Sequence, residues 1–164
     1  MAQVRWLTDS EDRAWRGYRR LRALLDLQVS RDLLRDSGLS DADYDVLSTV
    51  SESRPERLRQ SELATRMRWS ASRTSHHVAR MEERGLVRRE ECPEDGRGAV
   101  VSVTDAGWQA LKEAAALHVE SVRRHLIDLL SPDQIAVLGD ITEVVLTHLS
   151  EHDAAAAGRT AEGT

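Results

Sequence analysis

Residues 57–107 decide the fold of this chain. The sequence is RLRQSELATRMRWSASRTSHHVARMEERGLV over residues 57–87 and RREECPEDGRGAVVSVTDAG over residues 88–107. The first part predicts a short helix, a break at residues 68–70 and a longer basic helix that Gly85 closes. The second part predicts two short strands joined by a charged loop that contains glycine. Helix, turn, helix and hairpin in this order predict a winged helix-turn-helix, an architecture that holds a DNA duplex.

Charge is distributed unevenly along the chain. The formal net charge of −5 argues against a polyanionic partner, because nucleic-acid binding depends largely on phosphate neutralisation. Between residues 61 and 89, however, seven arginines stand against three glutamates, a local excess of about +4. Arginine suits bidentate contacts to phosphate and guanine, although a GC-rich genome produces the same usage. We therefore interpret the chain as a basic DNA-contacting segment on an acidic body.

The longer basic helix and its cap carry no acid between residues 70 and 80. Residues 70–80 include serine, threonine, histidine and arginine but neither aspartate nor glutamate. An ordinary solvated face normally mixes both signs of charge, whereas an acid at a DNA contact would repel phosphate. The pattern favours DNA contact over an ordinary solvated surface.

The helices that flank this segment favour a dimer. Thr8 and Glu11 form a capping-box pattern, and the helix that follows has an apolar stripe wider than a small domain needs. Ser131, followed by Pro132 and Gln134, starts the second of two further apolar-faced helices. We therefore expect a mainly α protein with six helices and one β-hairpin. Its parts are an N-terminal dimerisation helix at residues 1–36, a DNA-binding lobe at 40–104, C-terminal dimerisation helices at 105–150 and a disordered tail at 153–164.

Composition limits location and chemistry. A length of 164 residues is within the range of one domain with its own core. No apolar run is long enough to span a bilayer and the first residues lack the apolar block of a signal peptide, so we expect a soluble, cytoplasmic protein with no membrane partner. Cys92 is the only cysteine, which excludes an internal disulfide and a cysteine-rich zinc site.

The wing supports a closer comparison. The run PEDGRG at residues 93–98, followed after a strand by VTDAG at residues 103–107, resembles the wing signature of the MarR (multiple antibiotic resistance regulator) family, roughly D-P-x-D-x-R, a strand and L-T-x-x-G. Upstream, QSELA at residues 60–64 and LVRR at residues 86–89 are similar to the start of the family's helix-turn-helix and of its wing. The chain departs from the signature in three places. Cys92 replaces the usual Asp, Gly96 stands where a second Arg is common, and Val103 replaces Leu.

The resemblance implies a homodimeric transcription regulator, usually a repressor. Such a protein binds a palindromic double-stranded DNA operator and releases it when a small phenolic or other aromatic effector, or an oxidant, alters the dimer. The resemblance places the helix at residues 71–84 in the major groove and the wing, residues 90–98, beside it, with Arg97 in the minor groove and oriented by Asp95. The DNA-contacting residues that it implies are Ser70, Ser72, Arg73, Thr74, His76, His77, Arg80, Arg88, Asp95 and Arg97.

The resemblance also implies an effector site between the dimerisation helices and the DNA-binding lobe. Aromatic walls with a cation would suit an anionic aromatic ligand. The candidate lining residues are Trp15, Tyr18, Arg22, Tyr44 and His118. For each of them ordinary core or interface packing is the alternative interpretation.

Other functions remain as alternatives. Cys92 suggests a redox-sensing regulator of the same fold, because neighbouring arginines would favour its thiolate, while neighbouring glutamates would oppose it. A winged helix that binds protein instead of DNA is a second alternative, and the acid-free helix face at residues 70–80 argues against it. The sequence contains no HExxH motif, glycine-rich phosphate loop or nucleophile elbow, so we predict no metal, no cofactor and no enzymatic activity.

Overall fold

The structure is a computed structural model that describes residues 4–53, 56–91 and 98–161. Within these residues the chain forms six α-helices, three short strands and one 3-10 helix. In chain order they are α1 (Asp9–Ser37), α2 (Asp41–Ser51), β1 (Arg57–Arg59), α3 (Gln60–Arg66), α4 (Ala71–Glu83), β2 (Val87–Glu91), β3 (Ala99–Val103), α5 (Asp105–His125), the 3-10 helix Ile127–Leu129 and α6 (Pro132–Ala161). The predicted fold class, mainly α with six helices and a wing hairpin, is confirmed.

Side-chain caps fix where the helices begin. Thr8 accepts a hydrogen bond from the Glu11 amide at 3.4 Å, and the Glu11 carboxylate accepts one from the Thr8 amide at 2.7 Å. The pair Ser131 and Gln134 forms the same reciprocal arrangement at the start of α6, at 3.3 and 2.9 Å. Gly38 ends α1 in the left-handed conformation, with φ of 70°. The two capping boxes were predicted, and all three caps satisfy backbone groups that a helix end leaves unpaired.

The strands form one antiparallel sheet in the order β1-β3-β2. The predicted hairpin pairs β2 with β3, and Arg89 lies opposite Val101. The strand β1 was not predicted. It pairs Leu58 with Val101 on the other edge of β3, and its three residues contain a single apolar side chain, too little for a recognisable strand pattern.

The hydrophobic core lies in the first of two compact units into which the chain divides, residues 1–122 and residues 123–164. The centre of the core consists of fully buried apolar side chains from α2, α3, α4 and the sheet. Asp32 of α1 is also buried, and its carboxylate accepts a hydrogen bond from Ser121 of α5 at 2.8 Å. The core thus holds α4 and the hairpin on a scaffold of α2 and α3. The core residues include Leu33, Val46, Leu47, Val50, Leu58, Leu63, Val78, Met81, Val87 and Val101.

The end of the chain differs from the prediction. A disordered tail was expected from residue 153, but α6 continues through Ala161. Residues 154–157 are four consecutive alanines, and alanine has the highest helix propensity of the amino acids. The small, weakly polar composition that suggested disorder therefore also favours helix.

Candidate nucleic-acid interface

The helix α4 presents a basic face to solvent. Ser70 caps it by accepting a hydrogen bond from the Arg73 amide at 3.2 Å, and its first turn contains no acid. A helix N-terminus of this kind carries a partial positive charge. The exposed residues of the helix and its cap include Ser70, Ser72, Arg73, His76 and Arg80. Five of the seven α4-region side chains expected to contact DNA therefore lie at the surface.

A tryptophan in the turn before α4 positions the first arginine. The guanidinium of Arg73 lies 4.1 Å from the centre of the Trp69 ring, a cation–π contact. The turn itself places Arg68 at a φ of 52°, in the left-handed region that few non-glycine residues adopt. Residues 68–70 were predicted only as a break, and the role of Trp69 was not predicted. A large aromatic side chain in a turn was the available signal.

Two predicted DNA contacts are corrected by their burial. Thr74 is fully buried, and its hydroxyl donates a hydrogen bond to the Ser70 carbonyl at 3.1 Å. His77 is 8% exposed and packs its ring edge against Trp69, with 5.3 Å between ring centres. Both residues share a helical face with Val78 and Met81 of the core. Helical periodicity turns these two polar side chains inward, so they are not part of the exposed basic face.

His77 belongs to a polar cluster that binds α4 to the start of α2. The carboxylate of Asp43 accepts hydrogen bonds from Arg84 at 2.7 Å and from the Ser40 amide at 3.0 Å. The other Arg84 nitrogen donates to the Gly38 carbonyl at 3.2 Å. Burial alone would raise the pKa of Asp43, but these hydrogen bonds from Arg84 and Ser40 outweigh it and lower the pKa. Asp43 is therefore ionised, and it holds the end of α4 against the start of α2.

The geometry around His77 fixes its tautomer. A guanidinium nitrogen of Arg80 lies 3.0 Å from Nδ1, and because a guanidinium can only donate, Nδ1 must accept. The ring proton is then on Nε2, which lies 3.1 Å from Asp43 Oδ1 without the alignment of a hydrogen bond. Burial lowers the pKa of His77 against the attraction of Asp43, and the charge of Arg80 lowers it further. A neutral His77 thus links Arg80 on the exposed face to Asp43.

The wing is described only at its base. Arg88 is exposed and lies 3.5 Å from Glu90 on the same strand. Arg89 instead binds Glu82 of α4 at 2.6 Å, and its amide donates to the same carboxylate at 2.9 Å, so it ties the wing to α4. The predicted wing-tip residues Asp95 and Arg97, and the departures Cys92 and Gly96, lie outside the described residues.

A cleft of about 370 Å³ opens between α1, α2 and α5, and we call it the α1–α2–α5 cleft. Tyr44 and His118, both predicted for the effector site, line it with their rings stacked 5.0 Å apart. The described residues that line the cleft do not include Trp15, Tyr18 or Arg22, which lie on the exposed surface of α1. The described residues that line the cleft are Leu25, Asp26, Val29, Ser30, Leu33, Asp41, Tyr44, Asp45, His118 and Val122.

The short helix α3, the turn, the helix α4 and the β2–β3 hairpin define a winged helix-turn-helix protein. Residues 37–98 match the model of the MarR family. AbsC, a MarR family transcriptional regulator from Streptomyces coelicolor, is 42% identical, with 90% of this chain and 99% of that chain covered and a TM-score of 0.80. The chain therefore belongs to the MarR family of transcriptional regulators.

Two other solved structures are similar. Sco3205, also a MarR family regulator from Streptomyces coelicolor and solved in complex with DNA, is 41% identical, with 91% of this chain and 93% of that chain covered and a TM-score of 0.81. Wild-type MarR from E. coli is 19% identical over 87% of this chain and 99% of that chain, and its TM-score of 0.69 supports the fold alone. No curated protein matches the chain.

These similarities indicate no enzyme family, and MarR family regulators are generally not enzymes. Among the described residues no helix has the length and apolar character that crossing a membrane requires. Within the same residues no three His, Cys, Asp or Glu side chains group closely enough to hold a metal ion.

Proposed function

We propose that this chain is a ligand-responsive homodimeric repressor that acts in the cytoplasm. It binds a palindromic operator in double-stranded DNA through α4 and the wing, residues 90–98. The observation that carries this proposal is the exposed face of α4 over residues 70–80, which contains no acid and on which Arg73, His76 and Arg80 lie together. The relative Sco3205 was solved in complex with DNA, which supports DNA binding by this fold.

The proposed contacts divide into two kinds. Arg73, Ser72 and His76 lie near the N-terminal end of α4, the end that reaches base edges when such a helix enters the major groove. Ser70, Arg80 and Arg88 flank them and suit phosphate, which positions the protein without reading sequence. Arg97, oriented by Asp95, is proposed to enter the minor groove from the wing tip. Thr74 and His77 are buried and are therefore not among the proposed DNA contacts.

Operator binding is tested on the promoter region of the gene that encodes the chain. We expect a salt-sensitive shift at nanomolar protein and a protected palindrome whose half-sites lie about 10 bp apart. The measurement is a gel shift over a range of salt concentrations followed by footprinting. If nanomolar protein gives no salt-sensitive shift on this DNA or on genome-wide selected fragments, the proposed DNA binding is wrong.

Arg73→Ala is expected to weaken operator binding by about 1–3 kcal/mol, roughly 5- to 150-fold, and to relax sequence preference at particular bases. The physical reason is the loss of a guanidinium that the Trp69 ring holds at the N-terminus of α4. Fluorescence anisotropy with operator variants measures both effects. The control is Arg16→Ala, which removes an arginine that is exposed on α1 and paired with Asp12. Equal affinity of Arg73→Ala and wild type for the operator would remove α4 from the interface.

Exposed apolar side chains support the proposed dimer. In α1 the side chains of Leu21, Leu24 and Leu27 are each about half exposed, and Trp15 and Tyr18 stack on one another at the surface. In α6, Val144 is 71% exposed. Monomeric proteins rarely expose contiguous apolar patches of this kind. The exposed apolar residues of α6 are Ile135, Val137, Ile141, Val144, Val145, Leu146 and Leu149.

Val144→Asp is expected to shift the protein from dimer to monomer, because a charge would replace an apolar side chain within the proposed interface. Sedimentation at micromolar concentration should give twice the chain mass of 18.4 kDa for wild type and a larger monomer fraction for the variant. Glu143→Gln, on the same helix, is the control and should remain dimeric. A wild-type protein that sediments as a folded monomer would contradict the dimer.

The α1–α2–α5 cleft is the proposed effector site. It lies in the first compact unit beside α2, whose first turn also binds α4 through Asp43. The volume of about 370 Å³ suits a small aromatic or phenolic molecule. An effector that displaces the start of α2 would change the position of α4, and operator affinity would change with it.

A further inference from the structure

We propose that the α1–α2–α5 cleft selects an organic cation, an amine or quaternary ammonium on an apolar or aromatic body. The inference rests on the effector site proposed above and names the chemical class of its ligand. It reverses the expectation of an anionic aromatic ligand, which depended on Arg22 lining the site. In the structure Arg22 lies on the exposed surface of α1 and the described lining contains neither arginine nor lysine.

The walls of the cleft suit the body of such a ligand. Leu25 and Val29 of α1 and Val122 of α5 supply aliphatic surface. The Tyr44 and His118 rings, tilted by 29° from one another, supply a stacked aromatic surface. Aromatic faces attract cations because of their quadrupole, in addition to their apolar contact.

Acidic side chains outnumber the one basic side chain, that of His118, among the described residues that line the cleft. Three carboxylates, those of Asp26, Asp41 and Asp45, line it, and the Ser30 hydroxyl donates a hydrogen bond to Asp41. With no arginine or lysine in the described lining, these carboxylates have no fixed cationic partner within the cleft itself. Two or three like charges in a half-enclosed space raise the local concentration of cations and repel anions.

Two groups that line the cleft have raised pKa values, mainly because they are buried. Burial and then the charge of Asp41 raise the pKa of Asp45, against the attraction of His118. Burial and then the charges of Asp45 and Glu52 raise the pKa of the Tyr44 phenol. A bound cation would offset the smaller part of both pKa shifts, which comes from neighbouring carboxylates, whereas a bound carboxylate or phenolate would add to it.

An organic cation fits the cleft better than a metal ion does. In the described part of the chain no three acidic, histidine or cysteine side chains come together closely enough to coordinate a metal. The carboxylates therefore do not converge on one point. In addition, Nδ1 of His118 is buried and has no hydrogen-bond partner among the described residues.

The experiment compares two probes of similar shape and opposite charge on the full-length protein without DNA. The probes are 2-naphthylmethylammonium and 2-naphthoate, and isothermal titration calorimetry measures their affinities. We expect the ammonium to bind at least tenfold more tightly than the carboxylate. Asp45→Asn and Asp26→Asn are each expected to weaken the ammonium about fivefold or more and to leave naphthoate unchanged or improved. Circular dichroism checks that both variants fold.

The control is Asp140→Asn, which removes an exposed carboxylate from α6 and should not change either affinity. The inference is overturned if naphthoate binds as tightly as the ammonium, if neither probe binds, or if both cleft variants retain wild-type affinity for the ammonium. Operator affinity is measured separately with the ammonium present. An ammonium that binds the cleft and leaves operator affinity unchanged supports the inference and contradicts the proposed ligand response.

Discussion

Gly107→Ala is expected to destabilise the protein by about 3 kcal/mol or more, at the upper end of the range for overpacked sites. A Cβ on Gly107 would overlap the backbone carbonyl oxygen of Leu86 and lie 2.9 Å from Cγ1 of Val103. The Leu86 oxygen cannot move freely because it accepts a hydrogen bond from the Thr104 amide at 3.2 Å. Thr104 in turn caps α5 by accepting from the Gly107 amide at 3.0 Å. The strain would therefore reach both the start of α5 and the segment between α4 and β2.

Urea denaturation followed by circular dichroism measures this loss of stability. It is done at one fixed protein concentration, because the stability of a dimer depends on concentration. Gly17→Ala is the matched control, since a Cβ there meets nothing within 4 Å and lies within α1. It is expected to stabilise the protein by about 0.5–1 kcal/mol through helix propensity. If Gly107→Ala is no less stable than wild type, the described approach of α5 to Leu86 is wrong.

Asp43→Ala is expected to cost about 2–3 kcal/mol of folding free energy. It removes the ion pair with Arg84 and the hydrogen bond from the Ser40 amide, and it takes away the carboxylate that lies 3.1 Å from the buried Nε2 of His77. Breaking a fully buried ion pair costs roughly 3–5 kcal/mol, and the smaller value here reflects the Arg84 side chain, which is 45% exposed and stays solvated. Because α4 would lose its link to α2, we also expect operator affinity to fall. The fall should be larger than the decrease in the fraction of folded protein explains.

The same denaturation experiment tests Asp43→Ala, and the operator titration is done well below the unfolding temperature of the variant. The control is Asp12→Ala, which breaks the exposed ion pair with Arg16. An exposed pair is worth about 0.5 kcal/mol, so this variant should nearly match wild type in both measurements. Asp43→Ala with the stability and operator affinity of the control would show that the cluster around His77 does not position α4.

Much of the fold was predictable because its signals are local. The caps at Thr8 and Ser131 and the left-handed Gly38 need only residues within one turn of the helix end. The order of helices and hairpin followed from apolar spacing and turn residues. The strand β1 escaped prediction because its pairing partner, β3, lies far along the chain and its own three residues carry almost no pattern.

The candidate interface was predictable in its charge but not in its details. Counting arginines locates a basic segment, but whether a polar side chain is buried depends on partners elsewhere in the chain. His77 is turned inward and paired with Asp43, a residue of another helix. Arg22 and Tyr44 were assigned to one site by chemical type, and the structure places only Tyr44 in the cleft. The proposal of a cationic ligand for the cleft depends on the absence of Arg22 from its described lining.

The N-terminal part of α2 contributes both to the α1–α2–α5 cleft and to the polar cluster that holds α4. Asp41 and Asp45 line the α1–α2–α5 cleft, while Asp43 between them holds α4. Thermodynamic linkage makes any coupling through this part of α2 reciprocal, so the factor by which an effector weakens operator binding is also the factor by which the operator weakens effector binding. Protein on its operator would then need more effector than free protein to reach the same occupancy. In a cell, the effector concentration at which the regulator leaves its operator would then depend on both the effector-binding and the operator-binding equilibrium.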